Sequence, residues 1–224
     1  LSEAISRAVA ALAALFLFAI STHPIQAAPP KKGDKCTKIG QSLGKSSNRL
    51  TCSPITTLRW VANPKAPPIG SIFKPAQWGQ KVDVGNLTVR VKAFDLEVGK
   101  EICSNNAFND GCRFLGLKAE VDPESAIRWV AVEIEVENGF AATVEPGSTD
   151  YVFYLVTSTN DLVENDIAVV FENNLADVTL QAGEKARGRI VFAVPQTVKE
   201  LSALFLIRDQ SKRATKDYYF LLGS

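Results

Sequence analysis

The stretch Arg128–Asn138, RWVAVEIEVEN, alternates apolar and polar residues along nearly its whole length. Successive side chains of a strand point to opposite faces, so this pattern specifies a half-buried β-strand. Val130, Val132, Ile134 and Val136 take one face, and Ala131, Glu133, Glu135 and Glu137 the other. Two further stretches repeat the period. In NLTVRVKAF, from Asn86, the pattern turns Leu87, Val89, Val91 and Ala93 inward and Arg90 and Lys92 outward. In RGRIVFAVP, from Arg187, it turns Ile190, Phe192 and Val194 inward and Arg187 and Arg189 outward. Tyr151–Val156 and Leu201–Arg208 are apolar on both faces, and Asp217–Leu222 supplies a last strand. Turn signals such as VEPGS and LQAGE separate these runs, and no stretch has a convincing amphipathic-helix period. Many short strands without helices predict an all-β antiparallel β-sandwich.

The outward charges order the strands. Three glutamates at two-residue spacing repel one another unless cations lie opposite, because like charges facing across a sheet destabilise it. Arg90 with Lys92, and Arg187 with Arg189, are the complementary rows. The strand carrying Glu133 is therefore expected between those two strands in one sheet.

The N-terminus sets the compartment. Arg7 precedes the apolar run Ala8–Ile20, too short to span a bilayer, which takes about 20 residues as a helix. Small residues follow up to Ala27 and Ala28. A basic start, short apolar middle and small-residue end read as a secretory signal peptide over residues 1–28, cleaved after Ala27 or Ala28. The mature chain is expected to be secreted or associated with the cell envelope, with no transmembrane segment.

Export permits disulfides. Four cysteines allow three pairings, and proximity favours Cys36–Cys52 and Cys103–Cys112. Neither pair has the C-x-x-C spacing of a redox motif. Zinc is disfavoured because the only histidine, His23, lies in the segment to be removed.

That missing histidine bears on catalysis. A mature chain without it cannot host Ser-His-Asp or Cys-His machinery. No P-loop, dinucleotide fingerprint or G-x-S-x-G is present. Carboxylate-pair chemistry stays formally open, yet the acidic residues fall on alternating strands or in loops. No enzyme, cofactor or metal centre is expected.

Charge divides the mature chain. Residues 29–68 carry eight basic side chains against Asp34 alone, whereas residues 69–224 hold 16 basic and 22 acidic ones. Residues 29–61 are read as a small basic β module stapled by Cys36–Cys52, since a unit this small needs a covalent staple. Residues 62–79 hold four prolines and are expected to be an extended linker. Residues 80–224 form the sandwich.

Two resemblances follow from these residues. Gly33 to Val61, of the form G-x-K-C-T-K through a second cysteine to a tryptophan, resembles a short cysteine-pair module of actinobacterial secreted proteins. The series VGNLTVRV, WVAVEIEVENG, FYLVTSTN and LQAGEKARGRIVFAVP resembles the immunoglobulin-like domains of unknown function of secreted bacterial proteins, the superfamily of the mycobacterial immunoprotective extracellular antigen. Its marks are Asn138 ending a strand, Gly183 in a turn, Gly188 opening a strand and the strand end Phe192–Pro195. The resemblance implies an immunoglobulin-like sandwich outside the cytoplasm and no catalytic residues. The Cys103–Cys112 loop has no counterpart in it.

Two candidate ligand-binding regions remain. The basic module presents Lys31, Lys32, Lys35, Lys38, Lys45, Arg49 and Arg59 beside Trp60. Such an excess suits a polyanion, and export points to anionic cell-envelope polymers or lipid headgroups, with nucleic acid set aside. The loop between Cys103 and Cys112 presents Asn105, Asn106, Phe108 and Asn109, a rigid recognition loop for another envelope protein. The chain is thus expected to be an exported binding protein. The alternative is a structural or interaction module working through sheet edges or this loop. Asp161, Glu164 and Asp166 form a weaker acidic group, read as a solvated turn.

Overall fold

The computed structural model describes residues 29–32, 34–37, 41–44, 49–53, 59–62, 64–115 and 118–222, and the side chains of Ser53, Arg59, Trp60 and Leu115 lie outside that description. The expected signal peptide lies outside the described residues. In chain order the elements are β1 (Ser42–Leu43), β2 (Leu50–Ser53), β3 (Arg59–Ala62), β4 (Val82–Val84), β5 (Leu87–Asp95), α1 (Gly99–Asn105), β6 (Cys112–Leu115), β7 (Lys118–Val121), β8 (Ile127–Asn138), β9 (Tyr151–Thr157), β10 (Leu162–Glu164), β11 (Lys185–Pro195), β12 (Leu201–Asp209) and β13 (Lys216–Leu221).

Two four-stranded antiparallel sheets make the sandwich, in the orders β11-β8-β5-β4 and β10-β9-β12-β13. The glutamate strand β8 lies between the two basic strands, as the charge pattern requires. Arg187 Nε donates to Glu133 at 2.6 Å, Arg90 Nη1 lies 3.7 Å from Glu135, and Lys81 and Lys185 lie 3.5 and 3.4 Å from Glu137. These pairs are half exposed and specify neighbours more than they hold the fold. Two cations depart from the expected rows. Arg189 reaches past Glu133 to Glu101 on α1, and Lys92 forms no ion pair among the described residues.

Lys92 marks the reason for a larger correction. Pairing of β5 with β8 shifts between Val91 and Ala93. One extra residue in a strand reverses the facing of everything beyond it. Ala93 therefore lies opposite Glu133 on the outer face rather than inward, and Phe94 turns in opposite Val132.

The core lies between the sheets. Val89, Val91, Val132, Ile134, Ile190 and Phe192 from one meet Phe153, Leu155, Phe205, Ile207 and Phe220 from the other. The Phe205 ring stands edge-on to Phe192 at 6.3 Å and stacks with Phe153 at 6.1 Å, arrangements that aromatic quadrupoles favour. Gly188, opposite Ile134, sits inside β11 rather than opening it. A Cβ there would come within 2.8 Å of the Asn173 carbonyl, so glycine is what lets that segment approach the strand. Asn138 does end β8. Its buried carboxamide donates to the carbonyls of Ala142 and Leu180 and accepts from the Phe140 amide, tying two loops together.

Both sheets are covered on part of their outer faces, which explains the strands that are apolar on both sides. On one, α1 and the segment Val169–Phe171 bury Trp129, Ala131 and Val191. On the other, Ile72 and Phe73 cover Val156, Leu204, Leu206 and Tyr219. The latter pair belongs to the expected linker, which is therefore not a free spacer throughout. Residues 70–76 clasp Tyr219: its amide donates to the Gly70 carbonyl at 2.7 Å, and its carbonyl accepts from the Ala76 amide at 2.8 Å. Gly70 has φ +84°, and a Cβ there would meet Val82 at 2.8 Å.

Residues 32–224 form one compact unit. Within it the small sheet β1-β2-β3 carries the Cys36–Cys52 disulfide, and its buried cluster is those two half-cystines with Leu50 packed against them.

Candidate functional site

The stapled loop is the best-defined candidate. Two turns of helix, α1, follow β5 and bury Ile102 and Cys103 against the sheet. The expected recognition loop thus begins as a helix. Cys103 is bonded to Cys112 at the start of β6, so the chain from 103 to 112 is closed at its base. Trp129, from the buried end of β8, donates its indole N–H to the Asp110 carbonyl at 3.1 Å. Glu101, on the same helix, holds Arg189, whose guanidinium also lies 5.8 Å from the Phe171 ring centroid. The hydrogen bond with Glu101 raises the Arg189 pKa against the opposing effect of burial, so this cation stays charged.

Of the four loop candidates, Asn105 and Phe108 are exposed, and only Phe108 is not turned back onto its own loop. Asn105 turns back, donating to the Glu101 carbonyl, and Asn106 accepts from the Phe108 amide, an Asx turn. Asn109 is buried rather than displayed. It accepts from the Val170 amide and donates to the carbonyls of Val170 and Ile102. Between these ties stands Phe108, 95% exposed. Ile167 and Val170, on the segment tied by Asn109, are 65% and 58% exposed. The loop is thus a fixed mount for an apolar ring.

The basic module is described in part. Lys31, Lys32, Lys35 and Arg49 are exposed. Lys38 and Lys45 lie outside the described residues, and Arg59 and Trp60 are placed on β3 by their backbone alone. The acidic loop shows no convergence: Asp161 accepts from the Thr159 hydroxyl, and Asp166 from the Ala168 amide. Among the described residues no three Asp, Glu, Cys or His side chains group as metal ligands, and no helix is long and apolar enough to cross a membrane.

Residues 76–211 match the family described as Domain of unknown function (DUF4352). The chain belongs to that family. The solved structures similar to this DUF4352 protein are low in identity. They include MPT63, a secreted protein from Mycobacterium tuberculosis, 14% identical over 70% of this chain and 98% of that one, with a TM-score of 0.41. An uncharacterized β-sandwich protein from Clostridium difficile is 11% identical over 72% and 100%, TM-score 0.39. The yjhA protein from Bacillus subtilis is 15% identical over 66% and 98%, TM-score 0.38. No curated protein matches the chain.

The fold also assembles a cleft beside the loop from Lys100, Arg128 and Lys199. These residues lie far apart in the sequence, and only sheet pairing brings them together, so no local motif announces them.

Proposed function

We propose that this DUF4352 protein is an exported, non-enzymatic binding protein of the cell envelope or extracellular space, and that the stapled loop is its contact surface for another envelope protein. Phe108 carries the reading. An aromatic ring 95% exposed, on a loop closed by a disulfide and by Asn109, is ordered before any partner arrives. Preordered aromatic anchors lose little conformational entropy on binding, which is what favours them at interfaces. Two disulfides and the N-terminal basic–apolar–small pattern support export. Engagement of Glu101, Glu133, Glu135 and Asp217 with arginines supports a non-enzymatic reading. A route through sheet edges is less favoured. β4 and β10 are three residues long, β11 is bonded by Asp166 and Asn173, and β13 by the clasp.

The test replaces Phe108 by a photo-crosslinking phenylalanine analogue in the exported protein and compares it with the same analogue at Ala141, an exposed site elsewhere. A discrete protein adduct from position 108 alone is expected, reduced by Phe108→Ser competitor far less than by wild-type competitor. Equal adducts from both positions would end the reading.

A second contact is supported by the exposed lysines of the basic module. Lys31, Lys32, Lys35 and Arg49 are exposed in a stretch, residues 29–68, that holds eight basic side chains and one acidic one, and anionic envelope polymers are their natural partner. Such retention is screened by salt over about 8 Å at physiological ionic strength. A salt wash should release the protein, and glutamine at these four positions should release it without salt. Retention unchanged by both would rule the contact out.

A further inference from the structure

We infer that the end of the sandwich next to α1 is a binding groove for a single-chain amphiphile with an anionic head, a carboxylate or a phosphate ester. The groove has a cationic end and an uncharged end. At the cationic end a cleft of about 870 Å³ is lined by Lys100, Arg128 and Lys199, with Glu97 as the single acid, over walls that include Ile127 and Trp129. Sites for small molecules are apolar concavities of this order with a few convergent polar groups. A second hollow shares Arg128 and Lys199 with this cleft, carries one acid, Glu200, and adds Phe94, Ala203 and Leu222. A third, of about 780 Å³, shares Phe94, Ala203 and Leu222 and runs on to Trp78 with no charged residue in its lining. The shared linings set the three hollows side by side in one trough-like row. Charge falls along it from three cations at one end to none at the other, which is the pattern of an anionic head with an apolar tail.

Arg128 stands at the junction. The Arg128 Nη2 donates to the Val198 carbonyl at 3.3 Å, but its Nε is buried with no hydrogen-bond partner among the described residues. The Nη2 bond holds the guanidinium where it lines both hollows, and an anionic oxygen at that junction meets a charge-assisted donor. Ala93 and Phe94, just past the bulge in β5, both line the third hollow. This groove is separate from Phe108 and from the basic module, so its fate does not depend on theirs.

Calorimetric titration of the full mature chain with dodecanoate, dodecyl phosphate and dodecyltrimethylammonium, each below its micelle concentration, tests the assignment. One or both anions should bind at a single site, and which of them binds distinguishes an acyl carboxylate from a phosphate ester. The cation should bind at least about tenfold more weakly, and Arg128→Gln and Lys199→Gln should each weaken the anion by about tenfold, the loss expected for one charge-assisted contact. Ala203→Glu, at an exposed position, should block the uncharged trough and abolish binding while leaving the unfolding transition in place. Absence of binding by both anions, equal binding of the cation, or binding by Lys199→Gln and Ala203→Glu as tight as by wild type would each overturn it.

Discussion

The carboxamide of Asn109 and the backbone of Val170 pair edge to edge: Asn109 accepts from the Val170 amide at 3.0 Å and donates to the Val170 carbonyl at 2.9 Å. A buried side chain thus imitates one rung of a β-ladder and joins the stapled loop to the segment covering Trp129. Asn109→Ala removes the rung and leaves buried backbone groups unmatched, an expected loss of about 1–3 kcal/mol. Denaturant unfolding measures the loss, and faster hydrogen exchange at Val170 localises it. A neutral variant with unchanged Val170 exchange would refute this role.

The two disulfides should act on different scales. Cys36 and Cys52 are themselves most of the buried cluster of the small sheet, so C36A/C52A should strip exchange protection from β1–β3. The sandwich transition should stay where it is. C103A/C112A opens a loop of nine-residue separation in the sandwich, and chain entropy predicts a loss of about 2–3 kcal/mol. A sandwich transition shifted equally by both pairs would contradict this division.

Ile134 and Glu135 are neighbours on opposite faces of β8, which separates packing from charge. Ile134 is completely buried, and Ile134→Ala should cost about 2–5 kcal/mol. Glu135→Ala removes a half-exposed pair with Arg90 and should cost at most about 1 kcal/mol. Comparable losses in urea titrations would mean that the charges hold the sheet rather than select its order.

The clasp gives Tyr219 an alkaline signature. Burial, helped by Asp217 and opposed by Arg208, raises the phenol well above its ordinary value of 10.0. The folded state therefore resists ionisation that the unfolded chain undergoes freely. The corresponding stability is complete below the ordinary value and is lost as pH rises from there toward the raised one. Tyr151 and Tyr154 shift the same way, so Tyr219→Phe should flatten the alkaline fall in stability without abolishing it. Unfolding midpoints measured from about pH 8 to pH 11 will tell, since the ordinary phenol titrates within that range. Identical slopes for the two proteins would exclude the effect.

The sheet order was legible in the sequence because charge complementarity acts between adjacent strands, and Glu133, Glu135 and Glu137 carry their requirement openly. The two disulfides followed from spacing. The bulge at Lys92 was not legible: one inserted residue leaves composition and apparent alternation intact, so Ala93 and Phe94 exchange faces without local warning. Helix α1 is seven residues long, too short to establish a period. Asn109 looked displayed because polar loop residues usually are, and its burial depends on Val170, 61 residues away. Phe108 remained readable because nothing in its loop could cover it.

The clasp around Tyr219 also sets where the folding unit begins and ends. The family match runs from residue 76 to 211, whereas Gly70 and β13 lie outside it on either side. A fragment trimmed to the matched span would lose both halves of the clasp at once. Phe205 would lose its Phe220 neighbour, 6.0 Å away, and β12 would become an edge nine residues long and apolar on both faces. Such an edge is a template for intermolecular pairing. The shortest piece able to fold without recruiting a neighbour therefore spans residues 70–222, and the clasp and β13 serve as the selvage that keeps its sheets from joining others.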